Sequence, residues 1–316
     1  MAKARYLITG GAGFIGSNLA HALVARGERV RILDNFATGR MENIQALVDA
    51  GSVELVNGSI TDGETCVRAA DGVEFILHQA AIPSVPRSVE DPVTTNTTNV
   101  HGTLMVLEAA RKAGVKRVVF AASSSAYGEK APGEPKVETM IPDPLSPYAV
   151  QKVAGEHYLR VYHGVYGLET VALRYFNVFG PRQDPKSQYA AAIPNFTTAA
   201  LTGRPATLYG DGLQSRDFCF IDNVVQANLL ACTAAGAAGK VFNIACGEAV
   251  TLLRVIELLG EITGRKVEVR HDPPRAGDIR HSLADISRAK EILGYTAPVK
   301  FGDGLARTVA WYQQAK

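Results

Sequence analysis

The chain has 316 residues, 47% of them hydrophobic, which is enough to bury a large core in one or two domains. Lysine and arginine number 33 against 31 aspartates and glutamates, and these interspersed charges argue against nucleic acid and membrane surfaces as partners. The sequence shows neither a membrane-spanning apolar stretch nor a signal peptide, so we expect a cytoplasmic protein. The four cysteines lack metal-ligand spacing, and we expect free thiols and no metal site.

The first predicted element is a strand that leads into a glycine-rich turn and then a helix, with the sequence Thr9-Gly10-Gly11-Ala12-Gly13-Phe14-Ile15-Gly16. Such a turn lets backbone amides and a helix N-terminus approach a pyrophosphate without obstruction by Cβ atoms. A second strand ends in Asp34, where a carboxylate accepts hydrogen bonds from an adenosine ribose and repels a 2′-phosphate. The pattern predicts a dinucleotide site that prefers NAD, and the nearby Arg40 leaves NADP as a second option.

Strand-like runs alternate with helical patterns, which is typical of a parallel sheet with helices on both faces. The predicted strands lie at Leu7, Val30–Leu33, Glu54–Val56, Phe75–His78, Arg117–Ala122 and Glu169–Arg174. Two long helices are predicted at Asp91–Ala113 and Pro147–Tyr166, with Gly114 and Gly164 marking their ends. We predict an α/β fold, with a Rossmann-type doubly wound parallel sheet in residues 1–175. Residues 176–316 are predicted to form a smaller mixed α/β lobe, parts of which return to the sheet.

Two side chains four residues apart, Tyr148 and Lys152, share one face of the second long helix. A tyrosine hydroxyl loses its proton near pH 10, so a role as base at neutral pH requires a lowered pKa. A lysine ammonium, a helix N-terminus and an oxidised nicotinamide all stabilise a tyrosinate. Three serines, Ser123–Ser125, follow a buried strand at the sheet edge where ligands bind.

These segments together resemble the extended short-chain dehydrogenase/reductases that act on nucleotide sugars. They occur in the same order along nearly the whole chain, at residues 9–16, 34–35, 79–81, 123–128, 148–152 and 174–182. Within that superfamily the chain is most similar to the UDP-hexose 4-epimerases, especially the branch that accepts N-acetylhexosamines.

The resemblance implies that bound NAD takes a hydride from C4 of a UDP-hexose and returns it to the other face of a 4-keto sugar. Tyr148 would remove the hydroxyl proton, Ser123 would hydrogen-bond the developing oxyanion, and Lys152 would hold the nicotinamide ribose and lower the Tyr148 pKa. The residues implied for NAD are Gly10, Gly13, Phe14, Ile15, Gly16, Asp34, Asn35, Ser59, Ile60, Gln79, Ala80, Ala81, Tyr148 and Lys152. Ser59 replaces the family's usual adenine-binding aspartate, a contact for which Asp62 could substitute.

The residues implied for the UDP-sugar are Ser84, Arg87, Ser124, Ser125, Asn177, Ala191, Tyr209, Arg216, Arg275, Asp278 and Ser282. Arg216 and Arg275 would pair with the diphosphate. Ser282 stands where glucose-specific and galactose-specific members carry a bulky residue, which leaves space for a 2-acetamido group, whereas Pro83 replaces a glycine and could narrow the pocket. We therefore expect activity on UDP-GlcNAc and UDP-GalNAc and also on UDP-Glc and UDP-Gal.

Several alternatives remain open. UDP-glucuronate is the nearest rival substrate, because Arg182 could pair with its 6-carboxylate, although Asp184 would repel that group. Related dehydratases and decarboxylases carry acids where Ser124 and Ser125 stand, so elimination and decarboxylation are less favoured. A non-catalytic NAD-binding module is disfavoured because the serine, tyrosine and lysine are all present. The two long helices resemble the pair that forms a four-helix dimer interface in the family, which predicts a homodimer.

Overall fold

The computed structural model describes residues 4–129, 133–184, 192–273 and 280–314. Its strands are β1 (Tyr6–Thr9), β2 (Val30–Asp34), β3 (Val53–Asn57), β4 (Phe75–His78), β5 (Arg117–Ser123), β6 (Glu169–Tyr175), β7 (Val178–Phe179), β8 (Ala206–Tyr209), β9 (Ser215–Arg216), β10 (Cys219–Phe220), β11 (Lys240–Ile244), β12 (Val250–Thr251), β13 (Val269–Asp272) and β14 (His281–Ser282). Its α-helices are α1 (Phe14–Val24), α2 (Gln45–Asp49), α3 (Gly63–Ala70), α4 (Val85–Glu90), α5 (Pro92–Asn96), α6 (Gly102–Ala113), α7 (Pro147–Tyr166), α8 (Ala192–Thr202), α9 (Ile221–Thr233), α10 (Leu252–Thr263) and α11 (Phe301–Gln314).

Seven strands form one parallel sheet in the order β11-β6-β5-β4-β1-β2-β3. The strand order reverses between β1 and β4, which opens the crevice where such sheets bind ligands. The predicted Rossmann-type fold and its six predicted strands are confirmed. The seventh strand, β11, comes from beyond residue 176, so the later part of the chain contributes to the sheet, and the boundary at residue 175 stays a prediction.

Helices cover both faces of the sheet. Consecutive residues of a strand point to opposite sides, so apolar side chains of the strands pack against both helical layers. Ile8 packs into the cluster that contains side chains of α1 and α9, whereas Leu7 packs into the cluster with α3 and α6. Val119 and Val118 of β5 divide in the same way, and all four side chains are almost fully buried. This two-sided burial explains why the strands appear in the sequence as continuous apolar runs.

The helix predicted over residues 91–113 is present from Pro92 to Ala113, but residues Thr97–His101 in its middle are π-helical. The predicted bounds of α7 are confirmed, although Gly164 lies inside that helix and Gly167, with φ of 69°, ends it. The prediction that Gly164 marks the end was therefore wrong. Only a position that needs a left-handed backbone conformation favours glycine over other residues at a helix end.

The remainder of the described lobe consists of short strands and helices. Strand β9 lies between β12 and β14, β7 pairs with β10, and β8 pairs with β13. Helices α8 and α11 both pack against α10. Among the residues that the structure describes, no helix combines the length and apolar character needed to cross a bilayer.

Candidate active site

The glycine turn lies at the crevice between β1 and β4, and close packing there requires the absence of side chains. Gly10 adopts φ of 68°, and a Cβ added to it would lie 2.7 Å from the Cα of Ala80. A Cβ on Gly16 would collide with the carbonyl oxygen of Gly10. Gly13 is the N-cap of α1 and supplies no capping side chain, so the first-turn amides of α1 are available to an anion. The two remaining residues predicted from this turn, Phe14 and Ile15, begin α1.

The carboxylate of Asp34 is oriented toward the same turn. Its two oxygens accept hydrogen bonds at 2.8 Å from the backbone amides of Ala12 and Phe36. These bonds fix the buried carboxylate and leave each oxygen a further lone pair for a ribose hydroxyl. Asn35, next in the chain, accepts from the amide of Ala37.

The other residues predicted for NAD lie on two loops at the carboxyl ends of β3 and β4. Gln79 donates to Asn228 at 3.1 Å, and Ala80 and Ala81 follow it. Ser59 hydrogen-bonds Thr61 at 2.8 Å, and Ile60 is buried. Asp62, the proposed substitute for an adenine-binding aspartate, caps α3 by accepting from the amide of Glu64 and the hydroxyl of Thr65.

The three predicted catalytic side chains come together where β5 ends beside the first turn of α7. The side chain of Tyr148 lies near Ser123, and the Ser123 hydroxyl accepts from the Ser125 hydroxyl at 2.8 Å. The Lys152 ammonium donates to the carbonyl of Ala121 at 2.8 Å and lies 5.8 Å from the centre of the Tyr148 ring. Sequence spacing therefore identified residues that are neighbours in space, and their catalytic roles remain predictions.

Burial shifts the pKa values of both titratable side chains of this cluster, Tyr148 and Lys152. Burial raises the pKa of Tyr148 to about 12, against a smaller lowering by its hydrogen bond to Ser123. Burial also lowers the pKa of Lys152 to about 8, opposed by the carboxylate of Glu156. Burial and Ser123 account for this shift of the Tyr148 pKa, and the expectation that Lys152 lowers the pKa of Tyr148 stays a prediction for the NAD-bound enzyme.

Sequence reasoning missed the residues that hold the catalytic helix in place. The buried hydroxyl of Ser88 accepts from the backbone amide of Tyr148 at 3.0 Å and donates to Val85 at 2.7 Å. Asn99, in the π-helical segment, donates to the side chain of Gln151 at 2.7 Å. Ser88 is 60 residues before Tyr148, so no local sequence signal connects them.

The residues predicted on the sugar side divide between two places. Ser84 caps α4 by accepting from the amide of Arg87, whose side chain is exposed, and α4 packs against α7. Ser124 and Ser125 form the start of a 3-10 turn, Ser124–Tyr127, directly after β5. Both groups therefore border the catalytic cluster.

The remaining residues predicted for the UDP-sugar lie on or beside the short strands of the lobe. Ser282 of β14 is the register partner of Arg216 in β9, and only 6% of Ser282 is exposed. Tyr209 ends β8, where its carbonyl accepts from Gln214, and Asn177 donates to the carbonyl of Asp217. Three further predicted residues lie outside the described residues: Ala191, Arg275 and Asp278.

Asp217 connects the separate segments of the lobe. Its buried carboxylate accepts from the backbone amides of Cys246, Gly247 and Ala284 at 2.8 to 3.2 Å. Burial raises its pKa to about 6 in spite of these donors. The position of Arg216, the preceding residue, therefore depends on contacts that Asp217 makes with two distant parts of the chain.

Arg182 and Asp184 contact the cofactor half of the molecule. Arg182 donates to the side chain of Asn18 in α1 at 2.8 Å, and Asp184 forms an ion pair of 3.0 Å with Arg40. Both side chains therefore have partners within the protein, and the expectations that Arg182 would attract, and Asp184 repel, a 6-carboxylate of the sugar stay predictions.

The family described as NAD dependent epimerase/dehydratase matches residues 6–245, and the chain belongs to this family. The chain is 40% identical over 310 residues, 98% of each chain, to a UDP-glucose 4-epimerase of Mycolicibacterium smegmatis. Among solved structures it is similar to a UDP-N-acetylglucosamine 4-epimerase of Methanobrevibacter ruminantium in complex with UDP-N-acetylmuramic acid, with a TM-score of 0.94, 37% identity and full coverage of both chains. It is also similar to a UDP-glucuronic acid 4-epimerase of Bacillus cereus in complex with UDP-glucuronic acid and NAD, with a TM-score of 0.91, 33% identity and coverage of 99% of this chain and 100% of that one.

The protein is an enzyme whose cofactor is NAD, and its residues fit that group. The uncapped start of α1 suits the pyrophosphate, and the fixed carboxylate of Asp34 suits the adenosine ribose. Within the described residues no group of three or more histidine, cysteine or acidic side chains could hold a metal ion.

Proposed function

We propose that the protein is a UDP-hexose 4-epimerase. The main observation behind the proposal is that Ser123, Tyr148 and Lys152 lie together beside the NAD-binding turn. In addition, the chain is similar over its whole length to UDP-sugar 4-epimerases. Serines at 124 and 125 support simple return of the hydride, because elimination or decarboxylation needs a further acid or base.

NAD supplies a hydride acceptor and donor at C4 of the sugar. Tyr148, in its deprotonated tyrosinate form, would take the proton of the 4-hydroxyl and become the neutral phenol, while Ser123 donates a hydrogen bond to the sugar oxygen as the ketone forms. After the 4-keto sugar turns its other face to the cofactor, the same tyrosine returns the proton. Lys152 would hold the nicotinamide ribose, and the high pKa that burial imposes on Tyr148 would fall beside the positive charge of an oxidised nicotinamide.

For the sugar, we propose UDP-GlcNAc and UDP-GalNAc, together with UDP-Glc and UDP-Gal. The support for space for the acetamido group is the small size of the Ser282 side chain, which is in register with Arg216. The nucleotide would be held by Arg216, Asn177 and Tyr209. UDP-glucuronate is the weaker alternative, because the Arg182 guanidinium that was expected to meet its carboxylate donates to Asn18.

The experiment is separate incubation of the purified enzyme with UDP-GlcNAc, UDP-Glc and UDP-glucuronate, with products resolved by chromatography. We expect UDP-GalNAc and UDP-Gal, and no free NADH, because the hydride leaves and returns within one site. Conversion of UDP-glucuronate alone would contradict the proposed substrates. Accumulation of a dehydrated or decarboxylated sugar would contradict epimerisation itself.

We also propose that the protein forms a homodimer, because helices near the active site carry exposed apolar side chains. Val161 and Val165 of α7 are 48% and 68% exposed, and Val93 of α5 is 74% exposed. Burial of these side chains against a second copy would remove apolar surface from water. Sedimentation of Val161→Glu/Val165→Glu tests this: we expect monomers where the parent forms dimers, and a monomeric parent would contradict the proposal.

A further inference from the structure

The segment after β7 crosses from the nucleotide lobe to the cofactor half. We call residues Pro181–Asp184 the strap. The Asn18 side chain of α1 donates to the Pro181 carbonyl at 3.1 Å and accepts from the Arg182 guanidinium at 2.8 Å. These two hydrogen bonds fix the strap against the helix that begins at the glycine turn.

Arg40, which the strap also contacts, is fixed close to the ribose-binding acid. Its backbone amide donates to the carbonyl of Ala12 at 3.0 Å, and Ala12 in turn donates to Asp34. The preceding residue, Gly39, is so near Asp34 that an added Cβ would lie 3.0 Å from both carboxylate oxygens. An arginine beside the ribose is the residue type that accommodates the 2′-phosphate of NADP.

The Asp184 carboxylate pairs with this arginine. Its Oδ2 lies 3.0 Å from Nη2 of Arg40, with half of the arginine side chain and 29% of the aspartate side chain exposed. The pair offsets the positive charge of Arg40. A 2′-phosphate would therefore have to compete with Asp184 for the guanidinium.

We propose that Asp184 is a cofactor-specificity residue, which favours NAD over NADP by engaging Arg40. Asp34 and Asp184 then act together: one accepts from the ribose hydroxyls and the other occupies the only guanidinium that the sequence places within six residues after β2. Selectivity for NAD thus depends on a residue 150 positions after the end of β2, in a different part of the chain.

The test is calorimetric titration of the NAD-stripped enzyme with NAD and with NADP, for the parent, Asp184→Asn, Arg40→Gln and the double variant. We expect Asp184→Asn to shift the ratio of the two dissociation constants toward NADP by about 3- to 10-fold, in line with the modest strength of a partly exposed ion pair. In the Arg40→Gln background the same substitution is expected to leave the ratio unchanged, because the competed group is absent.

Asp222→Asn is the matched control, because Asp222 forms a similarly exposed ion pair of 3.1 Å with Arg307 between α9 and α11. It is expected to leave the ratio at the parent value. The proposal is overturned by an unchanged ratio in Asp184→Asn, by an equal shift in the Arg40→Gln background, or by an equal shift in the control. Circular dichroism of each variant establishes that the fold is retained. If Asp184→Asn unfolds, Asp184→Ser replaces it in both backgrounds with the same expected shift, and an unchanged ratio overturns the proposal there as well.

Discussion

The catalytic cluster (Ser123, Tyr148 and Lys152) and the nucleotide lobe are built in different ways. The cluster uses one strand end and one helix start, and Lys152 on the helix donates a hydrogen bond to the strand itself. The lobe gathers Arg216 and Ser282 from two-residue strands that are held by backbone pairing and by Asp217. If the proposed function holds, the chemistry depends on one strand end and one helix start, whereas the choice of sugar depends on segments that come together from distant parts of the chain.

The largest effect is expected from a substitution within the cluster, which should lower kcat. Tyr148→Phe removes the phenolic oxygen that takes the substrate proton, and we expect kcat to fall by about 10²- to 10⁴-fold while NAD binding and the fold are retained. Initial rates with UDP-Glc and UDP-GlcNAc measure this. Tyr166→Phe, on the exposed end of the same helix, is the control and should keep the parent rate; a Tyr148→Phe enzyme within tenfold of the parent would refute the assigned base.

The next prediction tests the lobe without touching the cluster. Ser282→Tyr fills space needed only by the acetamido group, so kcat/KM for UDP-GlcNAc should fall about 10- to 100-fold more than for UDP-Glc. Kinetics on both acetamido and hydroxyl sugars decide it, with Ser282→Ala as the control for loss of the hydroxyl. An equal loss on all four sugars would show that Ser282 does not select the substrate.

A third prediction concerns the buried ammonium of Lys152 and the pH dependence of the free energy of unfolding. The unfolded chain keeps the Lys152 proton up to the ordinary pKa of 10.5, whereas the folded, cofactor-free chain releases it near 8, so the unfolded state binds more protons in this window. The contribution of Lys152 to the free energy of unfolding should therefore rise by about 1–2 kcal/mol between about pH 8 and pH 9.5.

Urea unfolding of the parent and of Lys152→Met at the two pH values measures that rise as the change in their difference. Lys112→Met, at an exposed position of α6, serves as the control and should follow the parent. Parallel pH dependence in the parent and in Lys152→Met would contradict the lowered pKa.

The smallest expected effect concerns how the cluster is positioned. Ser88→Ala removes the acceptor of the Tyr148 amide, and we expect kcat to fall about 2- to 10-fold with KM unchanged, the range of a single hydrogen bond. Ser287→Ala, at an exposed site of the lobe, is the control. A rise in KM at constant kcat would instead assign Ser88 to substrate binding.

The difference between contacts of nearby residues and contacts of distant residues also explains which features could be predicted from the sequence. Periodicity located the strands and α7, and spacing identified Tyr148 and Lys152 as neighbours, because those features depend on residues a few positions apart. The sequence predicted that later residues return to the sheet but did not identify β11, whose apolar run is interrupted by the polar side chains of Lys240 and Asn243. The contacts of Ser88 and Asp184 were inaccessible as well, since each joins residues far apart along the chain.

The hydrogen bonds of Asp217 also bear on the order in which the protein folds. The amides that it accepts from lie 29, 30 and 67 residues downstream, and closing such long loops costs entropy before any bond forms. During synthesis on the ribosome, β1 to β6 are available to pair well before Ala284 emerges. The sugar-selecting lobe is therefore expected to form after the sheet, and nascent chains should acquire protease-resistant NAD-binding structure earlier than the ability to retain a UDP-sugar.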